Sequence, residues 1–333
     1  MNHVIIKDLQ LNGWEYGMLR SFEKAIIQET GAKEVELPPY QLAGNYIQHF
    51  SQGMKRGKYR KYFPKMSVEM EADVAWYILM GPENYRLDLC KNWQQKCKVK
   101  VLYLYDTMPY QYPLIKRLFS DNTWDVLITS FNDAVEDLEK VTGRKWMCIE
   151  QAADQEVFKP VPIEQRQIHF SAYGRRYPAI HEAVMEFCKT NNLYYDYTTH
   201  DGKHPTADAV ELYKQYGWHL SNSVFTFSWP VELTNPQRCG HLRPITCRWF
   251  EAAAAGTIVL GQSPDNHIYD KWLQPGHVVS INPNSTKQEM LSTLENLWSQ
   301  RYELYADKMK MQKGGYSRWT WNERVQRILT YIK

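Results

Sequence analysis

Apolar positions along this chain fall in short uninterrupted blocks, and amphipathic stretches separate one block from the next. Continuous apolar blocks suit strands covered on both faces, as in a parallel sheet, and the stretches between them suit helices with one apolar side. In the first half the blocks run from Val4 to Ile6, Val35 to Leu37, Asp73 to Met80, Lys100 to Tyr105, Asp125 to Ser130 and Trp146 to Glu150. An amphipathic helix from about Trp14 to Thr30, closed by Gly31, follows the first block. The second half restarts at Ile168. It continues through a helix from Ala179 to Asn191, a strand from Tyr194 to Thr198, a short helix ending at Tyr213 to Tyr216, strands at Ser223 to Phe227, Thr257 to Gly261 and Val278 to Ile281, and a helix from Ser285 to Trp298. Alternation of this kind predicts a doubly wound α/β class, with ligands bound beyond the carboxyl ends of the strands. A chain of 333 residues suits two domains of roughly 150 residues each. The proline-bearing, charged segment VFKPVPIEQRQ, residues 157–167, reads as the linker between them.

The stretch from Arg243 to Gln262, RPITCRWFEAAAAGTIVLGQ, joins a helix to a strand with one glycine between. Thr246 is placed to cap the helix start and Gly256 to close it in the left-handed region. Helical spacing puts Trp249, Ala252, Ala253 and Gly256 on a small apolar side and Arg248, Glu251 and Ala255 on another. A helix N-terminus at a sheet's carboxyl edge favours an anion, and a phosphate is the obvious candidate. On the residues alone, Arg248 and Glu251 suit an ordinary exposed pair three positions apart better than a site. In the first half the strands deliver Gly81-Pro82-Glu83, Asp106-Thr107-Met108-Pro109 and Ser130-Phe131-Asn132 to one edge.

Composition narrows the partners. A net charge of +3 gives no global case for nucleic acid. Six cysteines without C-x-x-C spacing argue against a zinc site and a disulfide framework, and suit reduced thiols in a cytosolic protein. The N-terminus reads as no signal peptide and no window reaches 18 apolar residues, so a spanning helix is not expected. Aromatic side chains, 23 Tyr and 12 Trp among them, serve a core and also suit stacking on sugar faces. Residues 55–65, KRGKYRKYFPK, set Lys55, Arg56, Lys58, Arg60 and Lys61 among aromatic rings. Such a segment suits an anionic membrane surface, at about 1 kcal/mol per basic residue, or an acceptor contact, or a solvated loop.

Phe250-Glu251-Ala252-Ala253-Ala254-Ala255-Gly256-Thr257-Ile258-Val259 resembles the second half of the E-x7-E nucleotide-sugar motif of GT-B glycosyltransferases of the group 1 (family 4) kind. Arg243 stands where that motif has its first Glu, and Arg248-Trp249-Phe250-Glu251 is similar to the R-x-F-E of the spore-maturation-type branch. Ala153-Asp154 with Val157-Phe158-Lys159-Pro160 resembles the family's crossover between domains. Ile168 to Arg176 resembles the V-x-x-x-G-R/N loop that opens its donor domain.

The resemblance implies two Rossmann-like domains facing across a cleft: an acceptor domain over 1–160, a nucleotide-sugar donor domain over 165–315, and a terminal helix, 316–333, returning to the first. It implies transfer of a sugar from a nucleoside diphosphate sugar to a glycan or lipid-linked acceptor, with no cofactor or bound metal, in surface polysaccharide or glycoconjugate synthesis. The donor side would use Gly174, Arg175, Arg176, Arg248, Glu251 and Gly13, with Glu251 on the ribose hydroxyls and Arg243 beside the departing diphosphate. Asp106 is the candidate base of an inverting reaction, with His49 and Glu83 behind it; a retaining reaction would leave Asp106 a binding role. A GT-B epimerase or hydrolase of nucleotide sugars, or a non-catalytic sugar-nucleotide-binding partner protein, remains open at this stage.

Overall fold

A computed structural model describes residues 1–9, 11, 13–37, 66–68, 70–87, 90–198 and 208–332. The basic segment with Lys55, Arg56, Lys58, Arg60 and Lys61 lies outside the described residues, as does His49. The chain divides into two compact units, Met1–Glu150 with Arg324–Lys333, and Gln151–Glu323.

In the first unit the strands are β1 (His3–Lys7), β2 (Lys33–Glu36), β3 (Met66–Ser67), β4 (Ala72–Leu79), β5 (Cys90–Lys91), β6 (Cys97–Leu104), β7 (Val126–Thr129) and β8 (Met147–Cys148). Six of them form one sheet in the order β2-β1-β4-β6-β7-β8, while β3 and β5 pair separately. Every pairing is parallel. Along β4 the successive side chains Trp76 and Tyr77 point to opposite faces and both are buried, which is why this strand is written as a continuous apolar run. Helices α1 (Gly17–Thr30), α2 (Tyr112–Phe119) and α3 (Val135–Thr142) cross between strands. Gly31 ends α1 at a φ of 67°, with its N–H on Ile27 O at 2.9 Å, the left-handed close expected of it.

Two arginines organise the start of this unit. Arg20 of α1 donates to the carbonyls of Asp8 (2.9 Å) and Leu11 (2.8 Å) and to both Glu23 oxygens at 2.8 Å, tying down the loop that leaves β1. Asp8, the first residue beyond β1, forms a buried ion pair with Arg86 at 2.5 Å. The last helix, α9 (Trp321–Ile332), brings Arg324 and Arg327 onto Glu150: Arg324 Nε donates to its carbonyl and Arg327 Nη1 to its carboxylate, each at 2.9 Å.

The second unit holds β9 (Ile168–Ala172), β10 (Tyr195–Tyr197), β11 (Ser223–Ser228), β12 (Ile258–Gly261) and β13 (Val278–Ser280), ordered β10-β9-β11-β12-β13 and again parallel throughout. Its longer helices are α4 (Pro178–Thr190), α5 (Ala209–Ser221), α6 (Cys247–Ala254), α7 (Lys287–Ser299) and α8 (Arg301–Gly315). Phe170 and Phe225 stack at 5.0 Å at the centre of the core, under α4 and α7. The segment after Glu150 packs here: Phe158 meets Tyr213 and Tyr216 edge-on at 5.3 and 5.7 Å, and Tyr305 donates to Val161 O at 2.9 Å.

Candidate functional site

Helix α6 is where the second unit concentrates its polar chemistry, and its two ends are built differently. At its C-terminus Gly256, at a φ of 62°, donates to Ala253 O (3.2 Å) while Thr257 donates to Ala252 O (3.0 Å), a Schellman close. Arg166, from the segment read as linker, then donates to the carbonyls of Ala255 (2.9 Å), Gly256 (3.2 Å), Ser223 (2.5 Å) and Val161 (2.9 Å). Burial lowers Arg166 to about 10, yet it keeps its proton at neutral pH, and its charge meets the negative end of the helix dipole. At the N-terminus the expected Thr246 cap does not form: its side chain accepts no capping hydrogen bond from the helix N–H groups. Gln151 Oε1 accepts the Cys247 N–H instead, at 2.5 Å, so a residue distant in sequence does the work assigned to the local hydroxyl.

Loops from the carboxyl ends of β9, β11 and β12 surround that N-terminus. Gly174 follows β9 at a φ of 104°, and a β-carbon there would lie 2.9 Å from Arg248 Nη2, so this backbone and this guanidinium approach closely. Tyr177 meets Trp229 edge-on at 4.7 Å, joining the β9 and β11 loops. Arg243, half-buried, donates to the carbonyls of Gly240 (3.2 Å) and Leu242 (2.9 Å), and its own carbonyl accepts from Asn266 Nδ2 at 2.6 Å. Burial pushes the Cys239 thiol up, with the Glu232 charge adding to it and Arg243 and Arg175 opposing it, so both arginines act on this corner. Arg176 turns towards the edge strand, its guanidinium 5.1 Å from the centre of the Tyr197 ring. The structure therefore sets Gly174 against Arg248, and Arg176 faces β10.

Glu251 is no exposed member of a surface pair. Only 2% of it is accessible, and both carboxylate oxygens are taken: Tyr213 donates to Oε1 at 2.6 Å and Tyr216 to Oε2 at 3.2 Å, both from α5. Burial raises its proton affinity, and the Tyr213 hydroxyl, the Arg248 charge, the Cys247 side chain and the Tyr216 hydroxyl pull it back. Neither tyrosine announces this role in the sequence; the only local sign is the spacing Tyr213, Tyr216, His219, one residue per helical turn.

In the first unit Asp106 follows β6, half-buried, with its N–H on Met80 O at 2.6 Å. Gln111, unremarked in the sequence, bridges two loops: its Oε1 accepts from Met108 N at 2.7 Å and its Nε2 donates to the Glu83 oxygens at 3.0 and 3.1 Å. Gly13 accepts from Tyr16 N at 3.0 Å, and a β-carbon on it would come within 2.5 Å of the Glu15 carboxylate. Among the described residues no group of three or more His, Cys, Asp or Glu side chains could hold a metal ion, and no helix is long and apolar enough to cross a membrane.

Two parallel sheets in an α/β arrangement, the second with a basic helix N-terminus at its carboxyl edge, define a protein of the GT-B glycosyltransferase fold. The family model described as glycosyl transferase-like matches residues 144–330, more than half of the chain, and the chain belongs to that family. Among solved structures it is similar to a UDP-GlcNAc 2-epimerase from Neisseria meningitidis bound to UDP-GlcNAc, with a TM-score of 0.56 and 9% identity over 99% of each chain. It is also similar to a sucrose-phosphate synthase from Thermosynechococcus elongatus, with a TM-score of 0.52 and 10% identity over 99% of this chain and 98% of that one. At such identities the likeness is one of fold. A search of curated proteins finds no match.

Proposed function

We propose that this glycosyltransferase-type protein moves a sugar from a nucleoside diphosphate sugar to a glycan or lipid-linked acceptor, and that the donor diphosphate binds at the N-terminal end of α6. The observation that carries this is the close approach of Gly174 and Arg248 at the start of α6, where the chain leaves β9. As the bond from anomeric carbon to phosphate breaks, negative charge builds on the leaving diphosphate. Guanidinium groups fit its oxygens in a fork, and helix N–H groups add to them at no cost of reorganisation. Losing one such donor typically costs about 2.7 to 4 kcal/mol of transition-state stabilisation. Positive charge from arginines makes a bound metal unnecessary for that step.

The acceptor is assigned to the first unit. In an inverting reaction Asp106 takes the proton of the attacking hydroxyl; in a retaining one the departing phosphate oxygen takes it, and Asp106 binds the acceptor. The basic segment Lys55 to Lys61 would hold a membrane-borne acceptor surface, and surface polysaccharide or glycoconjugate assembly in the cytoplasm is the setting that suits such chemistry. The R-x-F-E pattern makes the spore-maturation-type branch the preferred subgroup.

The test is a thermal-shift panel of UDP, GDP, CDP, ADP and dTDP on the wild type and on Arg248→Ala, followed by turnover of the matching sugar donors. A nucleotide at 100 times its dissociation constant adds about 2.7 kcal/mol of stability. One nucleotide stabilising the wild type, with the effect reduced in Arg248→Ala, supports the donor site. No shift with any nucleotide overturns it, and product formed without acceptor replaces transfer by hydrolysis or epimerisation.

A further inference from the structure

We propose that the end of β10 sets the diphosphate-binding loop: Asp196 and Thr198 are positioning residues that hold Tyr173 and Gly174 in place before the donor arrives. This rests on the donor site placed above. β9 and β10 run parallel, Tyr195 to Tyr197 beside Phe170 to Ala172, so the residues that leave one strand emerge next to those that leave the other. Tyr173 donates its hydroxyl to Asp196 Oδ2 at 2.7 Å, and Gly174 donates its N–H to Thr198 Oγ1 at 3.3 Å. Thr198 N in turn donates to Ala172 O at 3.3 Å. Past the turn, the Arg176 guanidinium stands 5.1 Å from the centre of the Tyr197 ring. Consecutive residues of one strand end thus hold Tyr173, Arg176 and Gly174 in turn.

The hold comes from both faces of the sheet. Successive side chains of a strand point to opposite faces, and the partners follow that alternation. On the α5 side, His219 Nδ1 lies 2.6 Å from the same Asp196 oxygen, and the Tyr173 ring packs edge-on against Tyr216 at 5.4 Å. On the α4 side, Tyr197 meets His181 edge-on at 4.7 Å, and His181 Nδ1 lies 2.8 Å from the Tyr195 hydroxyl. Gly174 itself is exposed and has no side chain to restrain it, so an unheld turn here would sample many conformations. A ligand that needs one of them must offset that freedom, and holding the turn beforehand lowers the cost. Arg248 approaches the same glycine, so the frame also fixes the backbone beside this charge.

The test measures inorganic pyrophosphate binding to the full chain by calorimetry, at a temperature where circular dichroism shows every variant folded. A loss of stability alone then leaves the affinity untouched. Tyr173→Phe keeps the ring and removes the hydroxyl, Thr198→Val keeps the shape and removes the acceptor, and Asp196→Ala removes the partner of Tyr173. As the control, Tyr305→Phe deletes a tyrosine hydroxyl hydrogen bond elsewhere in the unit, the one at 2.9 Å to Val161 O. Tyr173→Phe and Asp196→Ala should each weaken pyrophosphate by about fivefold, the scale of one hydrogen bond, and Tyr173→Phe/Thr198→Val by about tenfold or more. Once Asp196 is Ala, Tyr173→Phe should add less than about twofold, since both remove the same bond. Tyr305→Phe should stay within about twofold of wild type. The inference is overturned if Tyr173→Phe/Thr198→Val binds within about twofold of wild type, or if the control weakens binding as much; the donor site then still stands. If neither pyrophosphate nor any nucleotide of the panel binds the wild type, the donor site itself fails and the frame falls with it. Should the double variant fail to fold, Tyr173→Phe alone decides by the same twofold limit.

Discussion

The guanidinium of Arg248 occupies the space that a side chain on Gly174 would need: a β-carbon there would stand 2.9 Å from Nη2 and 3.1 Å from Nη1, on a backbone with a φ of 104°. Glycine suits this position for its conformation, and a side chain here would push aside the far end of the flexible Arg248 side chain.

Gly174→Ala should therefore act chiefly on ligand binding. The loop is exposed at this point, so the strained φ should cost only about 1–2 kcal/mol of stability. Displacing Arg248 should weaken pyrophosphate binding by about tenfold or more. Paired calorimetry and urea unfolding check both parts; unchanged pyrophosphate affinity in a folded variant would separate Arg248 from the anion site.

Arg166 should be among the most sensitive positions for stability. Its removal takes the guanidinium from the carbonyls of Ser223, Ala255 and Gly256 in a buried setting, while Val161 keeps the Tyr305 hydroxyl. Arg166→Met is expected to lower unfolding free energy by about 3 kcal/mol or more, and Arg166→Lys to recover only part, because an ammonium cannot span the same fan of acceptors. Chemical denaturation curves of the three proteins give the comparison.

His277 links stability to acid. Burial, with the Lys308 charge adding to it, lowers this histidine from 6.5 to about 3. Between those values the unfolded chain holds a proton that the folded chain lacks, so stability is full above pH 6.5 and falls as the pH drops towards 3. From pH 7.5 to 5 this one group should cost about 2 kcal/mol. His277→Gln should flatten that part of the pH profile; an identical slope in the variant would rule out His277 as its source.

Gly261 ends β12 opposite Ser228, the last residue of β11. Its φ is 143°, and a β-carbon would stand 2.0 Å from the Ser228 carbonyl oxygen, a clash with main chain that no rotamer relieves. Gly261→Ala is expected to cost more than about 3 kcal/mol, visible as a large fall in melting temperature or as loss of folded protein.

The strands were legible in the sequence because a parallel sheet buried on both faces writes each of them as an unbroken apolar run: Asp73 to Met80 is found as Ala72–Leu79, and Ser223 to Phe227 as Ser223–Ser228. Edges were less legible. β2 is largely exposed and falls at Lys33–Glu36, starting two residues before the apolar block and ending one before its end. Helix α8, Arg301–Gly315, buries only Lys308, Gln312 and Gly315, so its sequence shows no apolar stripe to read. At the site, the helix-to-strand joint and its closing glycine were visible locally, since both depend on neighbours in sequence. The burial of Glu251 depends on two tyrosines more than thirty residues away, the start of α6 on Gln151, and its end on Arg166, which composition alone assigned to a linker.

The unequal ends of α6 bear on redesign. A beam clamped at one end keeps its direction whatever is hung on the other, and Arg166 with the Gly256 turn is such a clamp. Residues 240–246 and 262–268, Arg243 excepted, lie towards the other end, which Gln151 holds through the Cys247 N–H, and can then be exchanged to alter selectivity without re-aiming the helix. Libraries aimed at new donors belong in those two loops, with Arg166, Arg243, Gly256 and Gly261 left untouched.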